Sequence, residues 1–311
     1  MVNLKHHIDF INKLVSNGGP EPHEYGEFTN WIAQIHQQLG DGTLSKSDLD
    51  TLRSCFGEAL SILTLQGFAL EKPHGYPGDY EILDKIYLKH TSKNPDLRKW
   101  DLYFQLQKAP IAVRNRKHYF IELCKKLAML EKRSETINVL NIASGPCRDL
   151  FEYLSEKNDQ RIMFDNVEFD PLAISYAKNI CKDYLNRVNF LHTNAFDFTS
   201  EKKYRLIWSS GLFDYLNDQK FLYLMNRVLP LLEDEGEIVI GNFSTQNPTQ
   251  AYMEIMGNWR LRHRTPEQLI SFGEEIKFAR EDIRVGKEPE GVNLFLHLKR
   301  GKHFIPAPDF S

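Results

Sequence analysis

The sequence predicts an α/β fold: a doubly wound, mostly parallel seven-stranded sheet that ends in an antiparallel hairpin and follows an N-terminal helical extension. From residue 137 onward, short β-rich runs alternate with helical patterns, which is typical of βαβ units and a parallel sheet. The last two β-rich runs, within residues 276–301, are joined by a short Gly/Pro/Glu loop, so they must pair antiparallel. Residues 1–110 show only helical and turn patterns, which predicts the extension.

The extension contains amphipathic stretches separated by turn signals. In "FTNWIAQIHQQL" the apolar residues recur at helical spacing, and "SKSDLDTLRSCF" begins with Ser and Asp residues that suit a helix N-cap. "KPHGYPGDYEI" is a dense turn between helical patterns. Pro110 is the expected first residue of a long amphipathic helix.

Five β-rich runs precede the terminal hairpin, and helical patterns follow most of them. In chain order the runs are "INVLNIA", "IMFDNVEFD", "VNFLHTN", "YRLIWSSG" and "GEIVIGNFS". Patterns such as "CRDLFEYLSEK", "PLAISYAKNICKDYL" and "QKFLYLMNRVLPLL" lie between them. Each pattern is long enough to form the helix of a parallel crossover.

The composition is that of a soluble globular protein, with 41% hydrophobic and 26% charged residues. A formal net charge of −3 gives no electrostatic reason to bind nucleic acid or an anionic membrane. The four cysteines lack CxxC spacing, and no metal-ligand spacing is present, so we expect neither a disulfide framework nor a metal site. Without a signal peptide or a transmembrane run, the expectation is a cytoplasmic protein with a small-molecule partner.

The loop after the first predicted strand, in "VLNIASGPCRDL", indicates the ligand. In a doubly wound sheet, ligands bind beyond the carboxyl ends of the strands. A dinucleotide would need GxGxxG and would place its pyrophosphate on backbone N–H groups. In this loop only Gly145 remains of those glycines, and Pro146 lacks an N–H group. S-adenosylmethionine (SAM) carries no phosphate, so this loop favours SAM over NAD.

Each part of SAM has a matching residue at a predicted strand end. An acid can accept hydrogen bonds from both ribose hydroxyls, and an amide with a backbone N–H can bind the adenine edge. The fourth strand should line the face where the methyl group is transferred. The predicted cofactor residues are Ala143, Ser144 and Gly145 after the first strand, Asp170 and Pro171 after the second, Asn194 and Ala195 after the third, and Ser210 after the fourth.

This ordered set makes residues 137–300 resemble a class I SAM-dependent methyltransferase. The resemblance implies a Rossmann-like methyltransferase fold, with a SAM-binding domain at 111–311 and a lid or substrate domain at 1–110. The chain departs from the usual pattern at four positions. Asn141 replaces a common acid, Ala143 and Cys147 replace flanking glycines, and Asn194 stands where Asp is frequent.

Four segments resemble a narrower bacterial methyltransferase subgroup, associated with biosynthesis of extracellular factor 3-hydroxypalmitic acid methyl ester. They are "KPHGYPGDYEI", "APIAVRNRKHY", "LNIASGPCRDL" and "WRLRHRTPEQL". The resemblance implies O-methylation of a hydroxy fatty acid carboxylate. A carboxylate is already a nucleophile at neutral pH, so that reaction needs no general base. A hydroxyl or amine acceptor would need one, and Asp79 or His263 is then the candidate catalytic residue.

Further candidates lie outside the strand ends. Tyr76, in a rigid Gly/Pro turn, is predicted to cover the cofactor, and Arg114 to bind the methionine carboxylate of SAM. The predicted substrate contacts are Tyr80, Tyr215, Trp259 and Arg262.

Structural roles compete with these functional interpretations. The tyrosines of the turn could be buried, Trp259 could anchor a core, His263 could be structural, and Asp214 could cap the following helix.

Three other functions stay open at the level of the sequence. One is methylation of a small-molecule nitrogen or hydroxyl group. Another is a catalytically silent SAM-binding sensor, which the single-glycine loop would suit. The third, a nicotinamide-dependent oxidoreductase, is disfavoured by that loop and by the terminal hairpin. No Asn/Asp-Pro-Pro-Tyr motif, which is typical of DNA amino-methylating enzymes, is present.

Overall fold

The structure, a computed structural model, describes residues 4–130, 135–156, 159–308 and 310. The chain forms two compact units. The helical unit comprises Met1–Ile111 and Pro248–Arg260, and the sheet unit comprises Ala112–Asn247 and Leu261–Ser311.

The described residues form α-helices and strands in an order that matches the predicted alternation. The helices are α1 Lys5–Ser16, α2 Tyr25–Gly40, α3 Lys46–Ser54, α4 Leu65–Glu71, α5 Tyr80–Tyr87, α6 Pro95–Leu106, α7 Lys108–Leu130, α8 Arg148–Ser155, α9 Pro171–Ile180, α10 Asp218–Val228, α11 Gln250–Gly257 and α12 Pro266–Glu275. The strands are β1 Ile137–Ile142, β2 Ile162–Glu168, β3 Val188–His192, β4 Tyr204–Ser209, β5 Leu232–Phe243, β6 Ile283–Lys287 and β7 Asn293–Lys299.

Side-chain caps and an aromatic core shape the helical unit. Ser45 and Asp48 form a capping box at α3, and Thr64 and Asn94 accept hydrogen bonds from the first turns of α4 and α6. The apolar face predicted for α2 is buried. It contributes to a cluster of packed aromatic rings: Phe28, Trp31, Phe56, Trp100 and Tyr103. Helix α11 packs on α2 and α4, so the segment inserted after β5 is part of this unit.

The sheet unit contains one seven-stranded sheet in the order β3-β2-β1-β4-β5-β7-β6. The pairs from β3 to β5 are parallel, whereas β7 runs antiparallel to both β5 and β6. The predicted fold class is therefore confirmed. Strand order reverses where β1 pairs with β4, and ligands bind beyond the carboxyl ends of the strands at such a point.

Each face of the sheet is covered by its own hydrophobic core. Successive residues of a strand point to opposite faces, and in β5 Val239 belongs to one buried cluster while Ile238 and Ile240 belong to the other. Helices α7 and α8 contribute to the first cluster, and α10 and α12 to the second. Burial on both faces explains why strands such as "YRLIWS" are apolar without alternation.

A buried polar network links α7, the sheet and the C-terminal segment. Tyr119 Oη lies 2.7 Å from His297 Nε2, and His297 Nδ1 lies 2.5 Å from Glu237 Oε1. Glu237 Oε2 accepts a 2.6 Å hydrogen bond from the backbone N–H of Ile305. Burial lowers the pKa of His297. All four residues are almost inaccessible to solvent, so the network fastens the segment after β7 to the sheet.

Two element boundaries differ from the expected ones. Helix α7 begins at Lys108, before Pro110, because proline is tolerated in a first turn, where N–H groups have no intrahelical partner. The first hairpin strand begins only at Ile283, since residues 276–279 form the connection after α12 and Arg280–Asp282 form a short 3₁₀ turn.

Two kinds of feature are absent from the described residues. No helix there has the length and apolarity needed to cross a bilayer. No group of three or more His, Cys, Asp or Glu side chains there could hold a metal ion.

Candidate functional site

The loop between β1 and α8 has an unusual backbone. Ala143, Gly145 and Cys147 all have positive φ angles, of 53°, 55° and 53°. Only glycine adopts this left-handed region without steric strain, so two of the three positions are strained. Ser144, between them, is buried, and its Oγ has no hydrogen-bond partner among the described residues. Strain of this kind clusters at binding sites, and an unused hydroxyl there is available to a ligand.

Glu168, the last residue of β2, connects this loop to the neighbouring strand. Its Oε2 accepts a 2.9 Å hydrogen bond from Gly145 N, and its Oε1 accepts bonds from the backbone N–H groups of Phe169 and Asp170 at 2.9 and 3.1 Å. Burial raises the pKa of Glu168, and these hydrogen bonds oppose the rise. Glu168 is the carboxylate that contacts the loop, and it was not among the residues predicted from the sequence.

Asp170, the acid predicted to bind ribose, caps α9. Its Oδ1 accepts a 2.8 Å hydrogen bond from Leu172 N, and Pro171 occupies the first helical turn. One carboxylate oxygen is therefore used by the helix. The segment "VEFDP" contains two acids, Glu168 and Asp170. The sequence does not show where β2 ends, and the structure places Glu168 at the end of the strand and Asp170 at the start of α9.

The residues after β3 form a local turn. Asn194 is exposed, and its Oδ1 accepts a 2.9 Å hydrogen bond from Phe196 N. Ala195 packs against the core of the sheet unit. Both residues lie at the same sheet edge as the loop after β1, because β3 and β1 run parallel in one sheet.

The loop after β4 approaches β1 and β5 closely. Ser209 Oγ donates a 3.0 Å hydrogen bond to the carbonyl oxygen of Ile142, joining the ends of β4 and β1. A Cβ atom at Gly241 would lie 2.5 Å from the carbonyl oxygen of Ser210, so this contact requires glycine. Ser210, a predicted cofactor residue, therefore lies where the strand order reverses.

Three buried charged residues lie beneath this edge: Arg116 of α7, Asp149 of α8 and Asp214 after β4. Burial raises the pKa of Asp214 to about 7 and that of Asp149 to about 6, and the positive charge of Arg116 opposes both shifts. Asp214 Oδ1 accepts a 2.6 Å hydrogen bond from Phe243 N. Asp214 does not cap α10, because Asn217 does so through Lys220 N.

The buried carboxyl of Asp214 makes stability depend on pH. Its folded pKa lies above the unfolded value, so its contribution to stability is greatest in acid and is lost as pH rises through about 7. Asp214→Asn keeps the oxygen that accepts from Phe243 but cannot ionise. Between pH 5 and pH 8, we expect the free energy of unfolding to fall by roughly 2 kcal/mol less in the variant than in the wild type. Urea denaturation at both pH values measures this, and equal slopes would contradict it.

The predicted site residues that follow β4 and β5 differ in how far they are exposed to solvent. The side chain of Arg262 is exposed, while its backbone N–H donates a 2.7 Å hydrogen bond to the carbonyl oxygen of Asp214. His263 is half-buried, with Nε2 3.2 Å from Asn247 Nδ2. Tyr215 is partly exposed. The backbones of Arg262 and Tyr215 therefore both lie next to Asp214, after β4.

Arg114 and Arg116, two residues apart on α7, differ in burial. Arg114 is half-buried, and burial lowers its pKa. Arg116 is almost fully buried. The sequence favoured Arg114 for the cofactor, and the structure also places Arg116 against the loop after β4, where a Cβ atom at Gly211 would lie 3.1 Å from a terminal nitrogen of Arg116.

Asp79, Tyr76 and Tyr80 lie in the helical unit. Asp79 is buried and caps α5, accepting hydrogen bonds from the backbone N–H groups of Glu81 and Ile82 at 2.9 and 3.0 Å. Burial raises its pKa. Tyr80 is buried against the His74 ring, and Tyr76 is half-buried. This geometry gives Asp79 a capping role.

Trp259 also lies in the helical unit. It is buried just after α11, where its backbone N–H bonds to the carbonyl oxygen of Met253. Trp259 is therefore a packed residue of the helical unit.

Comparison with known proteins supports the fold. No protein-family model matches the chain. A malonyl-[acyl-carrier protein] O-methyltransferase of Ilyobacter polytropus is 24% identical over 156 residues, which are 50% of this chain and 51% of that protein. The chain thus spans about half the length of this curated relative. A structure from Bordetella parapertussis, described as a possible exported protein, aligns with a TM-score of 0.58 at 15% identity over 96% of both chains.

The sheet decides the fold, since a mostly parallel seven-stranded sheet that ends in an antiparallel hairpin is what the resemblance implied, and the structure adds that β7 lies between β5 and β6. The sheet unit has a Rossmann-like methyltransferase fold. Two solved methyltransferases with bound S-adenosylhomocysteine (SAH) also align. Magnesium protoporphyrin IX methyltransferase of Synechocystis PCC 6803 has a TM-score of 0.49 at 11% identity, covering 63% of this chain and 88% of its own. Plantazolicin methyltransferase has a TM-score of 0.47 at 17% identity, covering 70% and 93%.

Proposed function

We propose that this chain transfers the methyl group of SAM to a carboxylate of a small molecule, of the hydroxy fatty acid class. The observation that carries the proposal is the strained loop after β1, whose Gly145 N–H is bonded to Glu168. The loop lies at the reversal of strand order, contains one glycine, and has a proline where a pyrophosphate would need an N–H group. A phosphate-free nucleoside suits it.

The residues present fit SAM. Glu168 ends β2 and is bonded to the loop through Gly145 N, so its carboxylate is placed to accept hydrogen bonds from the ribose hydroxyls, whereas Asp170, two residues further on, caps α9. Ser144 supplies a buried, unused hydroxyl. Asn194 and Ala195 stay the proposed adenine contacts, and the loop after β4 stays the proposed face of methyl transfer. When bound, SAM supplies a methyl group activated by a positively charged sulfur.

The side chains that could act as a general base agree best with methyl transfer to an oxygen atom that needs no such base. An acceptor carboxylate oxygen forms a bond to the methyl carbon as the carbon–sulfur bond breaks, the sulfur keeps the electron pair, and no proton moves. Asp79 caps a helix, Asp214 is buried and accepts from a backbone N–H, and His263 Nε2 lies 3.2 Å from Asn247 Nδ2, so each of these side chains already has a partner within the protein. The Ilyobacter polytropus protein that matches half of this chain is named an O-methyltransferase, which also supports oxygen as the acceptor atom.

A test uses the full chain, SAM labelled in its methyl group, and three acceptors of equal chain length: a 3-hydroxy fatty acid, its alcohol and its amine. We expect label in an ester of the acid, released as methanol on saponification and detected by mass spectrometry. Label on the amine or on a hydroxyl group would overturn the carboxylate assignment. SAH binding with no transfer to any acceptor or lysate component would instead indicate a sensor.

A further inference from the structure

The helical unit has five exposed aliphatic side chains in three segments: the turn before α4, the residue after α5, and α6. Each is between 40% and 59% exposed, and together we call them the aliphatic face: Ile62, Leu63, Leu88, Leu102 and Leu106. Single exposed leucines are common on protein surfaces, whereas a contiguous group of them is typical of a binding surface. The hydrogen bonds of α6 show that these three segments are neighbours.

Asp101 of α6 holds the first two segments together. It is buried, and its Oδ1 accepts a 2.7 Å hydrogen bond from Leu65 N at the start of α4. Its Oδ2 accepts a 2.6 Å hydrogen bond from Ser92 N, in the connection after α5. The turn before α4 and the connection after α5 therefore meet at one carboxylate of α6.

Gln105 of α6 holds the end of α5 against the same helix. Its Nε2 donates hydrogen bonds to the carbonyl oxygens of Lys85 and His90, at 3.3 and 3.2 Å. Residues three and four apart on a helix are neighbours on its surface, so the exposed row that contains Leu102 and Leu106 lies directly beside Gln105. The exposed side chains of α6 thus adjoin the segment that follows α5.

Exposed cations accompany the aliphatic face. Residues 85–108 contain six lysines and arginines but only two aspartates. Lys89, Lys93 and Arg98 are exposed, and none of the three forms an ion pair with another described residue. Arg98 begins the row of α6 that continues with Leu102, four residues later. The whole chain has a net charge of −3, so this positive charge is a local feature that the overall composition does not reveal.

We propose that the aliphatic face binds an anionic lipid surface. The aliphatic side chains would enter the boundary between head groups and acyl chains, and the three cations would contact lipid phosphates. The composition favours lipid over a protein partner. Protein interfaces are enriched in aromatic residues and depleted of lysine, whereas this face is aliphatic and two of its three cations are lysines. The proposal does not depend on which group the chain methylates.

Flotation of the full chain with lipid vesicles tests the proposal. One set of vesicles contains phosphatidylcholine and phosphatidylglycerol in equal amounts, and the other contains phosphatidylcholine alone. We expect the chain to float with the mixed vesicles and not with phosphatidylcholine alone. Binding should weaken as salt is added, because salt screens the attraction between the cations and the lipid phosphates.

Two sets of substitutions separate the apolar contribution from the charged one. Leu102→Ser combined with Leu106→Ser should lower the affinity for mixed vesicles by about 100-fold, at roughly tenfold for each leucine withdrawn from lipid. Lys89→Ala, Lys93→Ala and Arg98→Ala together should lower it by about 100-fold, at roughly fivefold for each cation. All five side chains are exposed, so both variants should unfold in urea as the wild type does.

Matched controls remove the same kinds of side chain from the sheet unit. One control exchanges two exposed apolar residues, Leu185→Ser and Tyr223→Ser, and the other exchanges three exposed lysines for alanine: Lys178, Lys182 and Lys220. Both should bind mixed vesicles as the wild type does. A wild-type chain that floats with neither kind of vesicle would overturn the proposal, as would equal losses in the controls and in the variants of the aliphatic face. Capture of an acidic protein through the aliphatic face, without vesicle binding, would assign the face to a protein partner instead.

Discussion

Exchange of Glu168 for glutamine is expected to weaken SAH binding by about 100-fold. The carboxylate accepts hydrogen bonds from three backbone N–H groups, including that of Gly145 in the cofactor loop. A glutamine amide can accept at only one of its two positions, and its NH₂ group would face N–H donors. Losing one or two charge-assisted hydrogen bonds to loop and ribose accounts for the magnitude. Isothermal titration calorimetry with SAH measures it.

Asp170→Asn is the matched control. Asparagine caps helices about as well as aspartate, so α9 should keep its N-cap and SAH affinity should change less than about threefold. The sequence predicted Asp170 as the ribose acid, and the two assignments give opposite results. A loss in Asp170→Asn that exceeds the loss in Glu168→Gln would restore Asp170 and contradict the proposed role of Glu168.

Exchange of Glu237 for alanine is expected to lower the free energy of unfolding by about 3–5 kcal/mol. Glu237 connects His297 on β7 with the backbone N–H of Ile305, and all three residues are almost inaccessible to solvent. Removing the carboxylate leaves two buried polar groups, the His297 ring and the backbone N–H of Ile305, without their partner, at a cost of about 1–3 kcal/mol each. Urea denaturation of the full chain gives the value.

Glu201→Ala, an exposed change just before β4, should cost less than about 0.5 kcal/mol and controls for the loss of a negative charge. In Glu237→Ala, hydrogen exchange of the backbone N–H of Ile305 should also become faster, since that group loses its acceptor. A variant as stable as the wild type, with Ile305 still protected, would show that the network does not fasten this segment.

The alternation of short apolar runs with helical patterns was enough to predict the sheet. Burial on both faces produces continuous apolar strands, and the lack of a helix before β7 leaves only an antiparallel hairpin. The order of strands about β1 follows from the fold class that these patterns indicate. The membership of residues 248–260 in the helical unit was not predictable, because it depends on packing between residues far apart in the chain.

The sites were less predictable than the fold, for identifiable physical reasons. Asp170 precedes proline and so has the signature of an N-cap, but the same position also suits a ligand-binding acid. Glu168 could be proposed for this role only once the end of β2 was known. Arg114 and Arg116 lie on different sides of α7, and the orientation of a helix about its axis is set by packing. Glu237 and His297 meet through the register of β5 with β7, which local sequence does not specify.

Calorimetric titration of the full chain with SAH and, separately, with NAD decides whether the strained loop after β1 holds a phosphate-free nucleoside. We expect SAH to bind at one site per chain and NAD to give no binding heat, because the loop has one glycine and no N–H at Pro146 for a pyrophosphate. Binding of NAD without binding of SAH would show that the loop holds a dinucleotide and that the chain is not a methyltransferase.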